Sequence, residues 1–371
     1  MKGYYGRQIA SAIRAFIKQH PELATRYKQA KTVVRSFRQP AFYEMATRCN
    51  LSCEGCYYFD NNPDVTTNNP CSIEEWYKFF AHEAARGVTM AYFVGAEPAL
   101  EQERLLAAAP HFPFGNIGTN GTVAIDPAVP YRIGVSIWAG DNASDKELRG
   151  ATVFRRALKN YRGDPRAIML FTVTRWTIDQ IETVAKMCQD HGVQLTFNLY
   201  SPTHTFLDKL TQGAENDSSY FRVSSGRHTP TLDDEALIKA HRAMGSALDR
   251  YPDTVVYSHP FNDFICGPTP LYELDPDTGV ALDCGSRILS PMRYFTTDLV
   301  SQSVKCCTAE VGCDQCRLYS GGWSSKFVPR ATDVKDLVSF ERWLDMIETL
   351  GRIFLYPREI HKIRHIHEKE Q

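Results

Sequence analysis

Three cysteines stand within eight residues in the segment Cys49-Asn-Leu-Ser-Cys53-Glu-Gly-Cys56. Soft thiolates at this spacing on one loop can wrap a cubane iron–sulfur cluster. Three is the informative number. A structural zinc site takes four protein ligands, whereas a 4Fe-4S cluster on three cysteines leaves one iron open to a substrate or cofactor. The zinc alternative needs a fourth ligand, for which His82 and Cys71 have suitable side chains, and the three-plus-two spacing differs from the paired C-x-x-C of a zinc knuckle.

A second set lies towards the end of the chain. Cys266 and Cys284 read as C-x12-G-x4-C, with Gly279 turning a hairpin, and Cys306-Cys307-x5-Cys313-x2-Cys316 follows. Two distant pairs that converge supply four thiolates, enough to close a structural zinc or a fully ligated cluster. Of the 11 cysteines only Cys71 and Cys188 fall between the two sets. With no export signal in view, ligation is a better use for so many thiols than a disulfide framework.

The elements that must carry these residues follow from periodicity. Short apolar strands are expected at Ala41 to Thr47, Val88 to Val94, Phe114 to Gly118, Ile133 to Trp138, Ala167 to Val173 and Leu195 to Tyr200, alternating with helical stretches. Ser72 with Glu75 forms a capping box ahead of Trp76, Phe79 and Phe80, and Thr177 with Gln180 repeats the pattern before a stripe that includes Cys188. Six such units imply a parallel α/β sheet, doubly wound or curved into a partial barrel, with sites at the strand C-termini. Residues 202 to 231 show little pattern. Helices are expected at Leu232 to Leu248 and Val334 to Phe354, with a Cys-, Gly-, Asp- and Pro-rich stretch between them.

The chain has 371 residues, 43% hydrophobic and 23% charged, which excludes collagen-like and disordered classes. Its 42 basic and 43 acidic residues nearly cancel, yet residues 1 to 40 hold nine Lys or Arg against Glu22 alone. This front end reads as two helices, one bearing Ile9, Ile13, Phe16 and Ile17, the other opened by Pro21. Such a basic pair either meets an anionic membrane surface or acidic partner, or caps the domain. No apolar run reaches the roughly 18 residues of a spanning helix and Arg14 interrupts the one candidate signal segment, so a cytoplasmic location is expected.

The loop after the first strand resembles the cluster motif of the radical S-adenosylmethionine superfamily. Further segments match in order: Val94-Gly95-Ala96-Glu97-Pro98 is similar to the family's GGEP, with Ala96 for its second glycine, and Gly118-Thr119-Asn120-Gly121-Thr122 is similar to its TNG. Ser136 stands where a family serine faces the cofactor, and Arg175 where an arginine pairs with the cofactor carboxylate. Gly55 occupies a position that is usually aromatic, with Tyr57 and Tyr58 following. The resemblance implies a partial (βα)6 TIM-type barrel that cleaves S-adenosylmethionine to a 5'-deoxyadenosyl radical, which abstracts hydrogen from substrate. It assigns Cys49, Cys53 and Cys56 to the cluster and Gly55, Tyr57, Gly95, Glu97, Pro98, Thr119, Asn120, Ser136 and Arg175 to the cofactor.

The second cysteine set resembles the twitch and SPASM auxiliary-cluster domains, its later half compressed. This implies at least one auxiliary 4Fe-4S cluster on Cys266, Cys284, Cys313 and Cys316, with Cys306 or Cys307 substituting or helping to hold a second cluster. The implied organisation is a basic helical extension (1–40), a barrel core (41–260), a Cys-rich domain (261–330) and a C-terminal helical segment (331–371). An oxidative modification of a small metabolite or ribosomal peptide is the expected reaction, with a flavodoxin or ferredoxin as reductant and no nucleic-acid partner. Asp283, Asp263, His259 and Tyr43 are candidates for a base by type. The rival readings are a non-catalytic Fe-S carrier or zinc interaction module, and an enzyme of polar methyl transfer, which has no use for a three-cysteine loop.

Overall fold

The computed structural model describes residues 2–61, 71–213, 221–288, 292–304, 306 and 311–356. The apolar runs form six parallel strands, β1 (Ala41–Ala46), β2 (Met90–Gly95), β3 (Phe114–Thr119), β4 (Arg132–Ile137), β5 (Ala167–Val173) and β6 (Gln194–Leu199), each starting or ending within two residues of its expected place. They pair in chain order, and beyond β1 lie β7 (Arg293–Phe295), parallel to it, and β8 (Ser301–Gln302), antiparallel to β7. Strands β6 and β8 do not pair, so the barrel stays open. Helices cross over between most strands, but β3 runs to β4 through a loop.

Strand alternation separates two faces. Alternation puts Tyr43, Phe93, Ile117, Ile133, Val135, Met169 and Leu195 on the outer face, wholly buried beneath the helices. The inner face carries Glu44, Asn116, Gly118, Ser136, Thr172, Thr196 and Asn198, small or polar groups suited to lining a site. The N-terminal mouth of this face is closed. Arg132, 1% exposed, donates to the carbonyls of Ile353 and Arg352 at 3.0 and 2.9 Å, satisfying free carbonyls at the end of the helix Leu337–Phe354. Tyr319 stacks on Phe354 beside it. Only the C-terminal mouth is left for chemistry.

The front helices, Lys2–Gln19 and Ala24–Ser36, pack on that closing helix: Phe16 lies 5.1 Å from the Phe340 ring, and Arg26 bonds to Glu348 at 2.8 Å and Asp345 at 2.6 Å. Their apolar stripe, with Ile9 and Ile13 buried, covers the domain.

One expectation needs correction. The Ser72–Glu75 capping box forms, but Thr177 makes no capping bond: its hydroxyl accepts from the Thr174 amide, a short 3-10 turn intervenes, and Gln180 reaches Gly140 and Asp141 instead. The tight turn after β5 takes the hydroxyl that a helix cap would need. The Cys-rich stretch meets the core sheet where the open edge of β1 takes β7 as its hydrogen-bonding partner.

Candidate active site at the carboxyl ends of the strands

The cysteine loop leaves β1 and docks on the end of the helix Asn142–Arg149, where the Glu54 amide donates to the Leu148 carbonyl at 2.7 Å. Gly150 ends that helix at φ +75, and a Cβ there would sit 2.5 Å from the Ser52 hydroxyl. Glu54 is completely buried. Its carboxylate accepts from the amides of Arg222 (2.7 Å), Val223 (3.3 Å) and Ser224 (2.9 Å), latching the segment after β6 onto the loop. Gly55 has φ +55, and the Phe206 ring from the helix His204–Thr211 fills the space a side chain at 55 would take, 2.7 Å from an added Cβ. The space beside this glycine is thus filled by a ring from another element.

Two of the three sulfurs are met by N–H donors from other elements. Asn120 Nδ2 lies 3.7 Å from Cys49 Sγ, and Arg149 Nε 3.4 Å from Cys53 Sγ. Burial pushes the Cys56 thiol up to about 12, the Cys53 charge adding to it, and burial also raises Cys49. Three soft sulfurs gathered where their thiolates repel, with N–H donors aimed at two of them, fit a cationic iron–sulfur core. Among the described residues no three His, Cys, Asp or Glu side chains close on the position of a single metal ion, His82 and Cys71 included. A cluster several atoms across asks for thiols spread more widely than one ion does.

The ends of β2 and β3 meet at Glu97, 1% exposed. Its carboxylate accepts from the Thr119 hydroxyl (2.6 Å), the Asn120 amide (2.7 Å) and the Ala99 amide (2.9 Å). Burial raises this carboxyl above its usual range while those bonds pull it back. Of about four lone-pair positions one is left, enough for an ammonium group. Gly95 is the glycine this turn requires, since at φ +119 a Cβ would meet the Ala46 carbonyl at 2.7 Å. Ala96 is not at positive φ, so its methyl group is accommodated, and Pro98 is buried behind it. Asn120 also bonds to Asn50 at 2.8 Å, tying the β3 loop to the cysteine loop.

No family model and no curated protein matches the chain. Among solved structures it is similar to Streptococcus suis SuiB bound to S-adenosylmethionine (TM-score 0.49, 14% identity), spanning 71% of this chain and 59% of that one. It is also similar to native anSMEcpe with bound AdoMet (TM-score 0.48, 12% identity), over 88% of this chain and 100% of that one. Strand order and the position of each motif at a strand end are those the resemblance implied. The chain forms an open, parallel α/β partial barrel with the expected motifs at its strand ends.

Within that fold the expected site residues divide. Cys49, Cys53, Cys56, Gly55, Gly95, Glu97, Pro98, Thr119 and Asn120 are interlocked as described. Ser136, on the inner face of β4, offers its carbonyl to Arg149. Tyr57 is 44% exposed at the start of a short helix, with Tyr58 buried behind it. Arg175 stands away from the sulfurs, ion-paired with Asp233, and lines a cavity of about 430 Å³ with Tyr200, Thr231, Gln315 and Arg317. The base candidates find their partners away from the three-cysteine loop. Tyr43 lies on the outer face against Glu83, Asp283 meets Arg330, and Asp263 and His259 pair with His241 and Asp249 on the surface.

In the second cysteine set, Cys284, Cys306 and Cys313 act electrostatically on Cys316, whose thiol burial pushes up to about 12. Among the described residues Cys266 feels Arg317 and Asp263, and it packs with the main core while Cys284 and Cys313 pack with each other. Gly279 turns the expected hairpin, with Leu274 bridging Ala281. Cys307 lies outside the described residues. The chain after β6 links the two cysteine sets: Ser201 accepts from the Arg317 amide, Thr203 bridges Val311, and Phe206 covers Gly55.

Arg149, Glu54 and Phe206 were missed from the sequence. Glu54 sits inside the motif at a position open to any residue, and the other two lie 96 and 151 positions from the residues they touch. The only signal available was the glycine at 55, which leaves room for a ring from elsewhere.

Proposed function

We propose that the chain is a radical S-adenosylmethionine enzyme carrying out an oxidative modification of a small polar metabolite or ribosomal peptide. When bound, the cluster and S-adenosylmethionine supply the 5'-deoxyadenosyl radical that removes hydrogen from substrate. The observation that carries the reading is the interlocking of the three-cysteine loop with Glu97 and Asn120. A carrier that only passes electrons closes its cluster with a fourth ligand and has no use for a buried carboxylate with one free lone pair.

In this reading Cys49, Cys53 and Cys56 hold the cluster, Asn120 and Arg149 steady two of the sulfurs, and Glu97 receives the cofactor's ammonium. The cavity at the ends of β5 and β6 admits the substrate, and the Thr231 hydroxyl, which has no hydrogen-bond partner among the described residues, lies in its wall. Arg175 acts on substrate from this wall. Cys284, Cys306, Cys313 and Cys316 hold an auxiliary 4Fe-4S cluster on the far side of the cavity, where Gln315 and Arg317 adjoin Cys316.

The test is anaerobic. The chain is reconstituted with iron and sulfide, then reduced with dithionite in the presence of S-adenosylmethionine, and 5'-deoxyadenosine is quantified beside a Cys49, Cys53, Cys56 triple-Ala chain. Product from the unaltered chain alone supports the proposal. Four or more bound irons per chain with no product would move the electron-carrier reading ahead.

A further inference from the structure

Arg149 is 3% exposed. Burying a guanidinium costs several kcal/mol unless charge and hydrogen bonds repay it. Its Nε–H points at Cys53 Sγ from 3.4 Å and its Nη1 donates to the Ser136 carbonyl. The position is built. Arg149 is the last residue of the helix Asn142–Arg149, whose Leu148 carbonyl holds the Glu54 amide and whose Gly150 lets Ser52 approach, so helix end and cysteine loop move as one body.

A fixed cation at hydrogen-bond distance from a ligand sulfur favours whichever redox state of the cluster carries more negative charge, and that is the reduced one. We propose that Arg149 is a positioning residue that raises the reduction potential of a cluster on Cys49, Cys53 and Cys56 through the Cys53 sulfur. This rests on the cluster reading above. The electron comes from an external one-electron reductant, and Arg149 exchanges no proton in the step.

The experiment is a dithionite titration of the reconstituted full chain without S-adenosylmethionine, followed by EPR, the relevant signal being the one absent from a Cys53→Ala chain. Iron per chain is measured in parallel. Arg149→Gln keeps N–H donors and removes the charge, and its midpoint is expected to move to more negative potential. Arg149→Lys keeps the charge but loses the planar fork, and is expected to lie between the two. A wild-type midpoint in Arg149→Gln with undiminished iron overturns the proposal. If Arg149→Gln does not retain its cluster, Arg149→Lys decides: a midpoint below wild type supports the proposal, and one at or above wild type overturns it. A merely structural role would lower iron content and leave the midpoint where it was. If the unaltered chain shows no Cys53-dependent signal, the cluster reading and this proposal fall together.

Discussion

Glu54 gives the sharpest mechanical prediction. Its carboxylate holds three backbone amides of the chain after β6, two in the half-buried residues Arg222 and Val223 and one in buried Ser224. A hydrogen bond to a charged acceptor contributes about 1.5–3 kcal/mol, and a buried amide left without a partner costs about 1–3 kcal/mol. Water can reach the first two amides once the carboxylate is gone, so Glu54→Ala should cost the full amount at Ser224 and only part at the others, about 3–5 kcal/mol in all. Glu54→Gln has nearly the same shape but only one acceptor oxygen, and its NH2 must face a backbone donor, for a cost of about 1.5–3 kcal/mol. Anaerobic hydrogen exchange of a peptide covering residues 221–227 reads this directly. About 3 kcal/mol corresponds to exchange on the order of 100-fold faster in Glu54→Ala. Exchange within threefold of wild type, with no loss of iron after reconstitution, would refute the idea that this carboxylate latches the segment to the cysteine loop.

Gly55→Ala should destabilise by about 1 kcal/mol for a side chain at positive φ and about 1–3 kcal/mol for displacing Phe206. Urea unfolding in a Phe206→Ala background should return only the first part, and equal costs in both backgrounds would deny the ring its role. For the second cysteine set, reconstituted iron should fall from about eight to about four per chain in Cys306→Ala and remain near eight in Cys266→Ala, with the reverse pattern restoring the assignment made from spacing. Lys326 supplies a pH test, since burial lowers its amine to about 8 from an ordinary value of 10.5 although it lies over the Phe264 ring. Between those values the unfolded chain binds more protons than the folded one, so stability should climb from pH 8 to 10.5 relative to Lys326→Met. A difference between the two that does not change with pH would place that amine in water.

What the sequence by itself determined is the part of the molecule that depends on near neighbours in the chain. Strand positions came from apolar runs, the Ser72 cap from a four-residue pattern, the buried face of Cys188 from helical spacing, and the cluster loop from three cysteines in eight residues. Each is set by local geometry, which a short window of sequence contains. The Thr177 cap failed for the opposite reason, because the turn that claims its hydroxyl is shaped by the end of β5 and the packing around it.

Tertiary structure alone decided who meets whom at the site. It brought Arg149 to the Cys53 sulfur, packed Cys266 with the main core and Cys284, Cys313 and Cys316 with one another, and carried Phe206 to the empty place at Gly55. It also joined the Cys-rich stretch to β1 through β7. These contacts span from tens of residues to some 250, and no periodicity encodes them. They arise because parallel strands in chain order bring their carboxyl ends to one rim, where loops far apart in the chain must share buried donors and acceptors.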